Sequence, residues 1–251
     1  MSAIAEPHAY ERIAADLREK IANGTFEPGS RLPTVSDLMA QYQVASRTAQ
    51  YAMKVLQADG LVLSRPGARA IVRESALVIR IGRSWRKGAK AGSPWRAQMA
   101  AEGRTGAWEA HTERTTAPPG VAELLRIAPG DRVMRTAYVF FADEHRIYVS
   151  TSWEPWDLVG GTEVCTPEMG PNAGRGVADR MAIIGHAPVR VEHDVSPSTL
   201  AEAEAAQLEL RAGIPVTRVQ RTYWDDERPL ETALIVVPSP HTVRFEIRLG
   251  T

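Results

Sequence analysis

Arg31-Leu-Pro-Thr34, Val44-Ala-Ser-Arg-Thr48, Gly60-Leu-Val-Leu-Ser-Arg-Pro-Gly67 and Ile71-Val72 follow one another in a single short stretch of the chain. Thr34 stands after a proline and three residues before Asp37, the spacing of a capping box, so a helix is expected from Val35 to about Tyr42. Winding Arg47 to Ala58 at about 100° per residue puts Ala49, Ala52, Met53 and Leu56 on one face and Arg47, Gln50, Tyr51 and Lys54 on the other. Small apolar residues suit close packing, and the opposite face offers donors for phosphates and base edges. Gly60 to Leu63 and Ile71-Val72 then read as two short strands of a wing. Upstream, Tyr10, Ile13, Ala14, Leu17 and Ile21 recur at helical spacing up to Asn23, Gly24 ends that helix, and Glu27-Pro28-Gly29 makes a turn. The pattern predicts a winged helix-turn-helix, which presents one helix and a wing to double-stranded DNA.

Candidate DNA contacts are Thr34 and Ser36 at the start of the first helix of the pair. Ser46, Arg47, Thr48, Gln50, Tyr51 and Lys54 follow on the second, and Arg65, Gly67 and Arg69 lie on the wing. From Tyr10 to Val72 the chain resembles the amino-terminal domain of GntR-superfamily bacterial transcription regulators. The resemblance rests on Pro28-Gly29, Leu32-Pro33, Val44, Thr48, Ala52, Leu56, Gly60-Leu61-Val62 and Gly67. The family usually carries Ser-Arg where this chain has Ala45-Ser46, arginines at Gln50 and near Ser36, and a second wing glycine at Arg69. Those departures, with Arg47 and Arg69 gained nearby, imply a different operator.

A chain of 251 residues with 44% hydrophobic residues can build two cores. The expected division is 1–74 for DNA binding, 75–104 as a basic linker and start of the second domain, and 105–251 for effector binding and dimerisation. The net charge of zero hides an uneven distribution. Lys and Arg against Asp and Glu number 9 and 8 in residues 1–74, 7 and 1 in 75–104, and 14 and 21 in 105–251. The run Arg80, Arg83, Arg86, Lys87, Lys90, Arg96 and Arg104 is either a phosphate-facing segment or a solvated surface. Cys165 stands alone, which excludes an intrachain disulfide. No charged-then-apolar leader and no apolar run near membrane length occurs, so a cytoplasmic protein without a membrane partner is expected.

Beyond the wing, Ala122–Pro155 superposes on Ala205–Pro238 at a shift of 83 positions without a gap. Leu125 meets Leu208, Gly130 meets Gly213, Val133 meets Val216, Arg135 meets Arg218, and Asp143 meets Asp226. Each copy reads as a short helix ending at the glycine, a strand (133–141; 216–224), an acidic turn and a second strand (147–153; 230–237). Two such units can form one antiparallel sheet with helices, giving an α+β fold with a pocket where the halves meet.

Leu208-x-Leu-x-x-Gly-x-Pro-Val216, Arg221-x-Tyr223, Asp226 and Pro229-Leu230-Glu231 make residues 84–249 resemble the effector-binding (UTRA) domain of the HutC subfamily, whose fold is shared with chorismate lyase. The resemblance implies a small, often anionic or sugar-like effector. Arg221 would pair with an anionic group, Glu231 would accept hydroxyls or hold Arg221, and Tyr223 would stack or donate. A cross-strand Arg221–Glu231 ion pair is the alternative. Tyr138 and Tyr148 are the first-copy counterparts of Arg221 and Glu231, and Arg135, Ser150, Ser152 and Trp153 complete the candidate wall.

No phosphate loop, nucleophile elbow or dinucleotide fingerprint is present, and the six histidines never fall in metal-ligand spacing. Pro167 to Gly176 reads as a long surface loop, and no cofactor is expected. The expectation is a homodimeric repressor released from a pseudo-palindromic operator by a small molecule. The alternatives are a constitutive or protein-responsive repressor whose second domain only dimerises and, remotely, a chorismate-lyase-like enzyme.

Overall fold

A computed structural model describes residues 8–63, 69–73, 77–81 and 93–246. Three helices, α1 (Ala9–Ala22), α2 (Val35–Tyr42) and α3 (Ser46–Ala58), pack with the strands β1 (Val62–Leu63) and β2 (Ile71–Val72). The core is made by Ile13, Ala14 and Leu17 of α1, Leu38 of α2, and Ala49, Ala52, Met53 and Leu56 of α3, with Leu32, Val62 and Val72. Ala49 and Ala52 are fully buried, so the α3 backbone sits against its neighbours without a side chain in between. At the start of α2 the Asp37 amide donates to Thr34 Oγ1 (3.1 Å) and the Thr34 amide donates to Asp37 Oδ2 (2.8 Å). That reciprocal pair is a closed capping box. Gln43 adopts a left-handed conformation (φ 50°) and turns the chain from α2 into α3. β1 and β2 pair antiparallel, Val62 with Val72 and Leu63 with Ile71, to form the base of the wing.

The larger body is a six-stranded antiparallel sheet in the order β4-β5-β6-β9-β8-β7. Its strands are β4 (Gly106–Thr116), β5 (Arg132–Ala142), β6 (His145–Pro155), β7 (Arg190–Thr199), β8 (Pro215–Trp224) and β9 (Pro229–Pro238). Helices α5 (Pro119–Leu125) and α8 (Glu202–Leu208) precede β5 and β8 at the same offset of 83 as the sequence repeat. The symmetry extends to irregularities: the ladder shifts at Phe140/Phe141 and again at Tyr223/Trp224. At the centre Thr151 pairs with Leu234, its own counterpart in the repeat, which puts a pseudo-two-fold axis through that pair. The outer strands β4 and β7 also correspond, although the sequence repeat began only at Ala122.

Each repeat helix stops at Leu125 or Leu208, earlier than the glycine expected to end it, and Arg126 and Glu209 carry the left-handed cap. Gly130 and Gly213 (φ 90° and 85°) lie in the following turn, where their amides donate to the carbonyls of Ala117 and Leu200. A positive φ at that point favours glycine.

Residues 77–81 and 93–104 belong to the sheet body. Strand β3 (Val78–Ile81) and helix α4 (Pro94–Ala101) send Leu77, Ile79, Ile81, Trp95 and Met99 into a core with Ala142, Ile147, Tyr148, Val219, Ile235 and Val237. β3 pairs in parallel with β10 (Thr242–Phe245). On its other edge Gln98 replaces a strand, donating to Val78 O (2.6 Å) and accepting from the Arg80 amide (3.1 Å). Of the basic run, Arg80 bonds Glu102 (2.7 Å), Arg96 lies over Trp108, and Arg104 bonds Asp143 (2.9 Å); Arg83, Arg86, Lys87 and Lys90 lie outside the described residues.

Thr34→Ala removes the acceptor at the start of α2 and is expected to cost about 1 kcal/mol. Chemical denaturation followed by helical circular dichroism checks it, and a Thr34→Ser variant is expected to retain most of that stability.

Candidate DNA interface and ligand cavity

The outward face of α3 carries Arg47, Gln50, Tyr51 and Lys54, all exposed, with Ser46 and Thr48 half-buried at its first turn. Tyr51 organises this face: the Arg47 guanidinium lies 5.9 Å and the Lys54 ammonium 5.5 Å from its ring centroid, and Tyr10 braces the ring from α1 at 5.9 Å. Gln50 donates to Ser46 Oγ (3.3 Å). Ser36 is exposed on the first turn of α2, beside Thr34, whose oxygen accepts the capping bond. Arg69 is exposed next to β2 and near enough to Asp37 to help hold that carboxyl below its usual range, after the stronger effect of the Thr34 hydrogen bonds. Arg65 and Gly67, expected on the wing, lie outside the described residues.

On one face of the sheet a cavity of about 440 Å³ opens over the two halves of the repeat. Tyr138, Tyr148, Ser150 and Ser152 line it from the first half, Arg221 and Glu231 from the second, and Trp95, Trp108 and Phe140 add aromatic wall. Arg135, Trp153 and Tyr223 do not line it. Successive residues of a strand face opposite sides, so with Tyr138 and Phe140 inward on β5, Arg135 points away and bonds Glu113 (2.9 Å). By the same alternation Trp153 packs behind the sheet with Ala117, Ala122, Leu125 and Val133. Tyr223 is buried beneath Arg221, whose guanidinium sits 4.9 Å from its ring centroid.

Arg221 donates to Glu231 Oε1 (2.9 Å), so the two form an ion pair; Glu231 has no exposed side chain, whereas Arg221 keeps 17%. Burial opposes the Arg221 charge, but Glu231 outweighs it and the guanidinium stays cationic. Beside Arg221 across β7, burial and then the Arg221 charge push His193 down to about 4, which keeps it neutral.

A second ion pair was not legible in the sequence. Arg180, on helix α7 (Val177–Ile183), bonds Glu154 through both terminal nitrogens and also reaches Val164 O (3.0 Å). α7 lies in the segment that follows the first copy only, so the repeat carried no signal for it. The Pro167–Gly176 stretch, expected as a surface loop, contributes Glu168 and Gly174 to Gly176 to the cavity wall. Gly174 (φ 74°) comes so close to Trp108 that a Cβ would stand 3.2 Å from the indole. Burial pushes the Tyr138 hydroxyl well above its ordinary value. Among the described residues no group of His, Cys, Asp or Glu gathers to hold a metal ion, and no helix is long and apolar enough to cross a membrane.

The winged helix and sheet body meet at a small joint. Arg73, just after β2, donates to Ser239 O (2.8 Å), and Gly60, just after α3, packs against the same carbonyl, where a Cβ would stand at 3.1 Å. The Leu77 amide donates to His241 Nδ1 (3.1 Å), and burial, with Arg73 and Arg104 nearby, pushes that imidazole down to about 3, so it accepts as a neutral ring.

Glu154→Ala leaves Arg180 charged in a dry site and is expected to destabilise the sheet body by about 3–5 kcal/mol. Replacing both partners, Glu154→Leu with Arg180→Met, is expected to recover much of that loss, as measured by chemical denaturation.

Comparison with known proteins gives a consistent result. Residues 9–72 match the family described as bacterial regulatory proteins, gntR family, and residues 110–241 match the UTRA domain. An uncharacterized HTH-type transcriptional regulator of Streptomyces coelicolor is 28% identical over 225 residues, which cover 85% of this chain and 82% of that protein. A probable fructoselysine utilization operon transcriptional repressor of Escherichia coli is 26% identical, covering 58% of this chain and 57% of its own. The crystal structure of a putative GntR-family transcriptional regulator superposes with a TM-score of 0.63 at 38% identity, covering 98% of this chain and 99% of that one.

Proposed function

This chain belongs to the gntR family of bacterial regulatory proteins and carries a UTRA domain, and from that premise we propose that it is a dimeric repressor released from its operator by a small molecule in the sheet cavity. Regulators of this family bind DNA through the winged helix. Here the reading unit is α3, with Arg47, Gln50, Tyr51 and Lys54 outward, flanked by Thr34, Ser36, Ser46, Thr48 and Arg69. The functional division is residues 1–74 for the operator and 105–251 for the effector and the second subunit. Residues 75–104 join them and, through β3 and α4, supply one wall of the cavity.

The observation that carries the proposal is the route from cavity to α3. Arg80 and Ile81 of β3 line the cavity, and β3 is hydrogen-bonded to β10. Ser239, shortly before β10, holds Arg73 and Gly60 at the ends of the wing and of α3, and His241 holds the Leu77 amide at the start of β3. A molecule that moves β3 therefore acts on the segment to which the end of the wing is hydrogen-bonded. The ligand changes operator affinity by its differential affinity for the two arrangements, and the DNA changes ligand affinity by the same factor.

The test is an anisotropy titration of the purified protein on the intergenic DNA beside its own gene, with excess nonspecific competitor and at two salt concentrations. Saturable binding by two chains per site is expected to survive competitor, and Arg47→Ala is expected to weaken it about tenfold at physiological salt while leaving thermal stability unchanged. One chain per site, or Arg47→Ala binding like the parent, would remove the dimer or the assigned contact.

A further inference from the structure

We infer that the cavity takes a planar aromatic molecule, neutral or carrying a single charge; the inference rests on the reading of this cavity as the effector site. The apolar wall is a set of rings in mutual register. Phe140 stacks on Tyr148 with centroids 4.4 Å apart and planes 10° from parallel, Tyr138 continues the stack at 5.5 Å, and Trp95 meets Tyr148 edge-on at 5.3 Å. Trp108 is the cross-strand neighbour of Phe140 on the edge strand β4, half-buried, with Arg96 over its ring at 4.5 Å and Gly174 drawn close to it. Aromatic surfaces held this way favour a flat partner that stacks or meets them edge-on.

Most charged groups of the wall are paired with one another, and Arg175, half-buried, lines it together with the hydroxyls of Ser150 and Ser152. Arg221 is paired with Glu231, Arg180 with Glu154 and Arg80 with Glu102, and Gln98 is spent on the β3 backbone. A phosphate dianion is best met by several cations without counter-charges, which the paired arginines of the floor are not, whereas the ring wall offers a flat surface to an aromatic partner. Arg221, the paired arginine of the floor that keeps exposure, can meet one carboxylate or carbonyl at the edge of the ring system. The volume of about 440 Å³ accommodates a bicyclic molecule.

Isothermal titration calorimetry on the full chain with 2-naphthoate and with glucose 6-phosphate tests the ligand class, and operator anisotropy in the presence of each tests release separately. Saturable naphthoate binding is expected, weakened at least tenfold by Trp108→Leu. Phe140→Leu is a second variant with the same expected direction should the first fail to fold. Glucose 6-phosphate binding without naphthoate binding overturns the aromatic class and leaves the effector reading standing. No heat from either probe overturns the aromatic class as well. Naphthoate binding that leaves operator affinity unchanged supports the class and overturns release by occupancy of the cavity.

Discussion

The pairing of β6 with β9, centred on Thr151 and Leu234, is the constraint from which the rest of the larger domain follows. Two copies of one helix-hairpin unit meet there edge to edge, and the antiparallel register relates them by a two-fold. Inner-face residues of β5 and β6 thereby share one face of the sheet with their counterparts on β8 and β9. Tyr138 and Tyr148 thus share a cavity with Arg221 and Glu231, although the pairs stand 83 positions apart. A slip of one residue in that central ladder would turn the lining side chains to the opposite face.

The halves then diverge where function requires it. After the first copy the chain runs through α7 and brings Arg180 against Glu154, closing one side of the cavity. After the second copy it turns at Ser239 to His241, forms the joint with the winged helix, and enters β10 beside β3. Symmetry builds the floor, and the unsymmetric returns provide a roof in one direction and the joint with the winged helix in the other.

Two buried ion pairs cost desolvation that similar apolar residues would avoid. Their effect is to leave a cavity floor whose two arginines each carry a counter-charge. Arg221 keeps partial exposure toward the cavity, whereas Arg180 is almost fully covered.

The DNA-binding domain was legible almost residue by residue: the capping box at Thr34 and Asp37, the buried face of α3 and the short wing strands all follow from local periodicity and turn chemistry. The repeat, and with it the antiparallel sheet, was legible from the shift of 83. The winged helix and the hairpins are built from contacts close in sequence, so pattern alone determines them. Tertiary structure decided that Arg135 and Trp153 face away from the cavity while Trp95, Trp108, Glu154 and Arg180 belong to it or to its support. It also turned part of an apparent surface loop into a cavity wall and residues 77–81 and 93–104 into core. The reason is that those assignments depend on strand pairings and returns between distant segments, where one-residue parity selects the face and no local pattern records which face is covered.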